Sequence, residues 1–155
     1  MKAESHKTLY VLLLVAVGVF GYCLWVAFRP VEIVAVHHRT NGFSSVLVRN
    51  FPLTDRGKIT WWLKNKAMLK EKYDLPKSAK DGDFTVTFWL FGDGYKEGDG
   101  YDSLCFEDMK PPVNCIDKNK VFTAENDRNR GVLFVVKNGV YRINENDKIV
   151  KKNSE

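Results

Sequence analysis

The pattern of hydrophobic positions divides the chain into one uninterrupted apolar run near its start and a long remainder in which apolar and polar residues are mixed. Residues 9–28, with the sequence LYVLLLVAVGVFGYCLWVAF, contain no charged side chain. Twenty residues of α-helix rise about 30 Å, which matches the hydrocarbon core of a bilayer. The pattern therefore predicts a transmembrane helix over residues 9–28, preceded by a polar segment at residues 1–8.

The ends of this run argue against a cleaved or lipid-modified leader. A signal peptide has a shorter apolar region followed by small residues at its cleavage site, whereas this run closes with bulky side chains up to Phe28. A lipoprotein signal needs a small residue before its cysteine, and Tyr22 precedes Cys23. We therefore expect a permanent anchor that contains Cys23.

The charges that flank the anchor favour one orientation only slightly. Lys2 and Lys7 precede it, while Arg29 and Arg39 follow it. The terminal amine adds one more positive charge to the first side, and positive charge is enriched on the cytoplasmic side of membrane segments. We expect residues 1–8 to lie inside the cell and everything after the anchor to be exported.

Beyond the anchor, the first half of the chain predicts a hairpin and a helix. Two β-branched runs, residues 31–38 and 43–51, flank the turn sequence RTNG. Residues 54–76 predict a helix, because Thr54 is a good amino-terminal cap and Pro76 ends the pattern. The apolar stripe of this helix comprises Ile59, Trp62, Leu63, Leu69 and Tyr73, and its polar face comprises Lys58, Lys64, Lys70 and Lys72.

The second half predicts mainly strands. Residues 83–91, DFTVTFWLF, place Phe84, Val86, Phe88 and Leu90 on one face and Thr85, Thr87, Trp89 and Phe91 on the other. This pattern is typical of a central strand covered on both faces. Residues 119–130 are polar and predict a partly irregular segment. Asn138 and Gly139 are the preferred residues of a two-residue hairpin turn, and residues 148–155 predict a last short strand that frays.

These elements predict an α+β fold. An amino-terminal transmembrane helix is followed by a small domain, residues 29–150, in which one main helix packs on an antiparallel or mixed sheet. Residues 151–155 are predicted to be a frayed basic tail.

Two of the three cysteines lie in the segment LCFEDMKPPVNC, residues 104–115. In an exported, oxidising compartment Cys105 and Cys115 are expected to form a disulfide, because neither has another cysteine available. Closing this loop of about ten residues contributes about 2–3 kcal/mol through loop entropy. A metal site would need two further ligands and a redox site the closer Cys-x-x-Cys spacing, so both alternatives are weaker.

A glycine-rich acidic segment, residues 92–102 with the sequence GDGYKEGDGYD, predicts a loop. An EF-hand calcium site beginning at Asp93 would need glutamate at position twelve, where Leu104 stands, so that motif fails. An irregular calcium site stays an alternative, but glycine and aspartate also form turns for local reasons, and no metal is expected. Aromatic side chains among polar ones are common at protein interfaces. The residues predicted to contact a partner are Trp61, Asp93, Tyr95, Glu97, Asp99, Tyr101 and Asp102.

Candidate chemistry elsewhere is sparse. His37 and His38 are the only histidines after the anchor, and neighbouring residues on a strand point to opposite faces. No nucleophile elbow, zinc-protease motif or phosphate-binding glycine loop accompanies them, so we expect neither an enzyme nor a cofactor; a hydrolase would need one of them in a pocket beside an acid. The net charge of +5 is dispersed, which does not favour nucleic-acid binding and suits an anionic membrane surface.

The chain resembles a family of small enterobacterial membrane proteins of unknown function. The resemblance rests on VRNFPLTDRGKITWWLKNKAMLKEKY, FTVTFWLFGDGYKEGDGYDSLCFEDM and NCIDKN, which carry the tryptophan pair, the Gly-Asp-Gly-Tyr loop and both cysteines in order. It implies a single-pass protein of the bacterial inner membrane, with a cytoplasmic amino terminus and a periplasmic domain, and no established activity. Anchored periplasmic proteins of this build include immunity proteins against toxins from competing bacteria.

The function expected from the sequence is therefore protein binding at the membrane. The leading hypothesis is a membrane-anchored periplasmic protein that binds a toxin or an envelope component, with immunity as its specific form. The alternative is an accessory subunit of an inner-membrane or envelope complex, in which the anchor, residues 9–28, makes contacts through Gly18 and Gly21 in addition to contacting lipid.

Overall fold

The computed structural model describes residues 2–153 and divides at Pro30 and Val31 into two compact units. The first is helix α1, Lys2–Phe28, which is long and apolar enough to cross a membrane. It begins before the apolar run because Glu4 complements the dipole of its first turn. Ser154 and Glu155, in the predicted basic tail, lie outside the described residues.

The second unit is built on a mixed sheet of seven strands, which confirms the α+β prediction. Helix α2 spans Asp55–Tyr73, and strands β1 to β9 span, in chain order, Glu32–His38, Phe43–Arg49, Phe84–Leu90, Ser103–Cys105, Cys115–Asp117, Lys120–Asp127, Gly131–Val136, Gly139–Ile143 and Ile149–Lys151. The strand order in the sheet is β1-β2-β3-β6-β7-β8-β9, and β4 and β5 form a separate two-stranded ribbon. All neighbours in the sheet are antiparallel except β2 and β3, which are parallel because helix α2 connects them.

Helix α2 begins and ends where local chemistry dictates. The Thr54 hydroxyl accepts a hydrogen bond from the Gly57 N–H at 3.0 Å, which satisfies one of the free donors of the first turn. Asp74 adopts the left-handed conformation, and its N–H donates to the carbonyl of Lys70, which closes the last turn.

The apolar stripe of α2 packs on one face of the sheet. Ile59, Trp62 and Leu69 join a cluster with Phe88 and Phe122. Lys58, predicted on the solvent face, is instead only 8% exposed. The prediction was wrong because Lys58 stands four residues before Trp62 and therefore shares the buried side of the helix.

Strand β3 is central, as predicted, and separates two layers of packing. Phe88 faces α2, while Trp89 faces a smaller cluster of Leu47, Phe106 and Ile116 on the opposite side of the sheet. This second face is covered by the β4–β5 ribbon and by the loops around it. The sheet therefore holds a helix on one side and the cysteine-containing segment on the other.

Residues 119–130 are more regular than their polar sequence indicated, because β6 occupies residues 120–127, while Asn119 and residues 128–130 lie outside the strand. Phe122 and Ala124 point into the cluster that contains Phe88. Thr123, which lies between them, faces the other side of the sheet. The strand pairs with β3 and β7, so its polar residues are tolerated on a face that the helix does not cover. Neighbours distant in sequence decide its conformation.

The second hairpin forms one residue earlier than predicted. Val136 pairs with Gly139, so the two turn residues are Lys137 and Asn138. A turn at Asn138 and Gly139 would require a positive φ at both residues. Of these two residues only Gly139 has a positive φ, at 140°, and this glycine is the first residue of β8.

Candidate functional site

The two loop cysteines form a disulfide at the base of the β4–β5 ribbon. Cys105 and Cys115 are opposite each other in the ribbon and close a loop over residues 106–114, hereafter the cysteine loop. The Phe106 N–H donates to the carbonyl of Asn114 at 2.9 Å, which continues the pairing into the loop. Within residues 2–153, no three His, Cys, Asp or Glu side chains are arranged to hold a metal ion.

A buried histidine binds the cysteine loop to the sheet. His37 on β1 is 6% exposed, and its Nδ1 lies 2.7 and 2.8 Å from the two carboxylate oxygens of Asp108. Because an ionised carboxylate only accepts, Nδ1 donates this hydrogen bond. The imidazole also stacks on Phe106, with ring centroids 3.9 Å apart.

The other nitrogen of His37 reaches the acidic loop, which we define as residues 92–102. Nε2 lies 2.9 Å from the hydroxyl of Tyr95; in the tautomer that carries its proton on Nδ1, this hydroxyl donates to Nε2. Burial, and secondarily the charge of Asp108, raises the pKa of Tyr95, so the phenol keeps its proton. Tyr95, predicted as a partner contact, therefore lies half-buried against Phe91 and Phe106 and supports the acidic loop from within.

Lys96 fastens the middle of the acidic loop to the ribbon. Its backbone exchanges two hydrogen bonds with Cys115, of 2.7 and 3.1 Å, and its ammonium group pairs with Asp117. That ion pair, through its hydrogen bond, raises the pKa of Lys96. Gly98 lies directly over the disulfide, since a Cβ at this position would be 3.1 Å from both sulfur atoms.

The tip of the acidic loop is shaped by Asp99. Its carboxylate accepts hydrogen bonds from the N–H groups of Tyr101 and Asp102, at 3.0 and 3.2 Å, and from the Ser103 hydroxyl at 2.8 Å. The Tyr101 N–H, followed by the Ser103 hydroxyl, lowers the pKa of Asp99. Asp99 therefore works as a turn former, and this turn presents Tyr101, whose side chain is 88% exposed.

The structure divides the predicted contact residues into three groups. Asp93, Glu97, Tyr101 and Asp102 are exposed on the acidic loop. Tyr95 and Asp99 build the loop. Trp61 is half-buried on α2, with its ring 5.3 Å from Phe51 and 5.8 Å from Phe88, so it packs on the face of the sheet opposite the acidic loop.

His38 faces the α2 side, which confirms that the two histidines point to opposite faces. Its Nε2 donates to the carbonyl of Tyr73 at 3.1 Å, so Nδ1 accepts from the Ser44 hydroxyl at 2.9 Å. This serine and histidine pair has the elements of a nucleophile and its base. The hydroxyl, however, belongs to a residue that is only 3% exposed, and both imidazole nitrogens are occupied.

The segment that carries the site is strongly acidic. Residues 93–118 contain seven acidic and three basic residues, a net formal charge of −4 in a chain of net charge +5. The acidic loop and the cysteine loop therefore form a negative region on an otherwise positive protein. The arrangement offers exposed carboxylates around one exposed phenol, on a base held by covalent and buried polar contacts.

Comparison with known proteins gives one result. The family model described as "Enterobacterial putative membrane protein (DUF943)" matches residues 2–153. No curated protein and no solved structure matches significantly.

Proposed function

The chain belongs to this family of enterobacterial membrane proteins, and from that premise we propose that it is an anchored periplasmic protein that binds another protein through the acidic loop. The amino terminus lies in the cytoplasm, α1 crosses the inner membrane, and the domain after Pro30 lies in the periplasm. The disulfide supports this location, because such bonds persist in oxidising compartments.

The observation that carries the proposal is the exposure of Tyr101 on a loop with a fixed base. Aromatic side chains dominate the binding energy of many interfaces. A loop that is already ordered loses little conformational entropy when it binds. Asp99, Tyr95 and the disulfide supply this order, so the backbone that carries Tyr101 is held in place.

The charge around Tyr101 defines the chemistry of the partner. Asp93, Glu97 and Asp102 are exposed, and Lys96 is already paired with Asp117. Complementary charge accelerates association and selects among partners. The partner therefore presents a basic surface with an apolar recess for the phenol.

A Tyr101→Ala variant tests this surface. In a cross-linked pull-down of the intact protein from membranes, the partner recovered with the wild type should be lost, because removing an interface anchor costs about 2–4 kcal/mol. Leu53→Ala is the matched control, since Leu53 is 89% exposed and lies outside the acidic loop. Equal recovery with both variants would contradict a role for Tyr101.

Immunity is the specific form that we propose for this binding. An anchor concentrates the binder at the membrane surface where an incoming toxin acts. In a strain whose neighbouring gene encodes a toxin, deletion of this chain should make cells sensitive to their siblings, and the Tyr101→Ala variant should fail to restore protection. Unchanged survival of the deletion strain would exclude immunity without excluding protein binding.

A second candidate is an accessory subunit of an envelope complex. Gly18 and Gly21 are three residues apart and share one side of α1, where small residues allow close approach of another helix. Exchange of residues 9–28 for an unrelated membrane span separates the two functions. A tethered binder keeps its activity after the exchange, whereas a subunit that packs through α1 loses it.

A further inference from the structure

A cationic cleft lies between the β1–β2 turn and the segment that follows α2. It has a volume of about 820 Å³ and is formed by residues 38–42 and 77–81. This volume lies within the range of ligand clefts in proteins. No residue of the acidic loop lines it, so the cleft is separate from the proposed protein-binding surface.

The charges that line the cleft are mostly positive and lack close partners. Arg39, Lys77 and Lys80 face one carboxylate, that of Asp81. None of the three cations takes part in the ion pairs of 4.0 Å or less within residues 2–153. The pKa of the Asp74 carboxyl is lowered mainly by the hydrogen bond and the charge of Lys70. The charge of Lys77 is only a minor cause of this lowering.

The walls of the cleft are held together by backbone contacts. Gly42 has a φ of 80°, and a Cβ there would lie 2.5 Å from the carbonyl oxygen of Asp83 and 3.0 Å from the nitrogen of Ala79. The Ala79 N–H donates to the Asp83 carbonyl at 2.8 Å, which closes this wall into a compact turn. Arg39 Nη2 donates to the carbonyl of Cys105 at 3.1 Å, so one N–H group of this guanidinium is bonded to the β4–β5 ribbon and not available in the cleft.

We propose that this cleft binds a phosphate group, either free or as part of a lipid headgroup. Lys77 and Lys80 supply positive charge and N–H donors from one wall. Arg39 supplies its charge and the N–H groups that do not bond to Cys105 from the other wall. The hydroxyls of Thr40 and Ser78 and the amide of Asn41 also line the cleft and supply neutral donors. His38 contributes no free donor, because both of its nitrogens bond to Ser44 and Tyr73.

Phosphate titration of the full-length protein tests the site. In uncharged detergent micelles at constant ionic strength, inorganic phosphate should shift the NMR amide signals of Asn41 and Ser78 with a saturable curve. The Lys77→Gln, Lys80→Gln double variant should raise the dissociation constant about tenfold. Lys64→Gln, Lys66→Gln is the matched control, because it removes the same charge from exposed positions on α2, and its constant should change less than twofold.

A second arm distinguishes the two sources of phosphate. The full chain is placed in nanodiscs of phosphatidylcholine, with or without phosphatidylglycerol. If an anionic headgroup is the ligand, phosphatidylglycerol shifts the same amides and suppresses the response to inorganic phosphate. If free phosphate is the ligand, the response is equal in both nanodiscs. The absence of a saturable shift in every medium, or an equal loss in both double variants, would overturn the proposal.

Discussion

At the scale of single residues, His37 joins three segments that are far apart in the sequence. It stacks on Phe106 and bonds to Asp108 and Tyr95 while it is itself buried. Replacement by alanine removes these contacts and leaves a cavity, so His37→Ala should lower the free energy of unfolding by about 2–3 kcal/mol. Urea unfolding of the full chain in detergent, followed by tryptophan fluorescence, measures the loss.

Two further variants separate the components of this effect. Tyr95→Phe removes only the phenolic hydroxyl and should cost about 1 kcal/mol, the typical value of one hydrogen bond. His6→Ala is the control, because His6 is an exposed histidine on α1 and its removal should leave the unfolding curve unchanged. If His37→Ala unfolds like the wild type, the cluster does not hold the loops to the sheet.

The sequence predicted the acidic loop and its exposed residues, but it did not show that His37 connects this loop to the cysteine loop. Tyr101 and the exposed acids could be recognised locally, because glycine and aspartate define a loop and the tyrosine stands among them. Asp108 could not be paired with His37, since 71 residues separate them and only the fold brings them together. The adjacency of two histidines on a strand was the single available signal, because it places one of them on each face.

At the scale of elements, the disulfide should control the order of the acidic loop more than that of the sheet. Gly98 and Lys96 both lie against it, whereas β3 is held by two neighbouring strands. The Cys105→Ser, Cys115→Ser double variant loses the stabilisation of about 2–3 kcal/mol that closing the loop provides. Hydrogen exchange at the backbone amides of residues 96 and 115 should therefore become about 30-fold faster or more.

The control for this prediction is Cys23→Ser, which changes the free cysteine of α1 and should leave exchange unaltered. Exchange at β3 amides should remain slow in the double variant. Equal acceleration in β3 would show that the disulfide stabilises the whole domain, and unchanged exchange at Lys96 would show that the acidic loop does not depend on it.

Elements with strong local signals were predicted correctly, and those decided by distant neighbours were not. Helix α2 has a cap, an apolar stripe and a terminator within its own sequence, and β3 has a fully apolar face opposite a face of two threonines and Trp89. Strand β6 is polar on one side because α2 does not cover that side, so its sequence alone resembles a loop. Lys58 is a different case, because its spacing of four residues from Trp62 places it on the buried side of α2, and this signal was present in the sequence.

At the scale of the whole molecule, the anchor and the exposed side chains allow a direct test of orientation. Leu53→Cys and Glu4→Cys, each in a Cys23→Ser background, place single reactive thiols after and before the apolar run, because both positions are exposed and the remaining cysteines form a disulfide. In intact spheroplasts a membrane-impermeant maleimide should label Leu53→Cys at once and Glu4→Cys only after lysis.

The two positions serve as controls for each other, because both are exposed and they are expected to lie on opposite sides of the membrane. The reverse labelling pattern would place the domain in the cytoplasm. There the disulfide would meet a reducing environment, Cys105 would label after lysis, and the cysteine loop would lose its closure. Orientation and the covalent base of the acidic loop therefore stand together, and one labelling experiment reports on both.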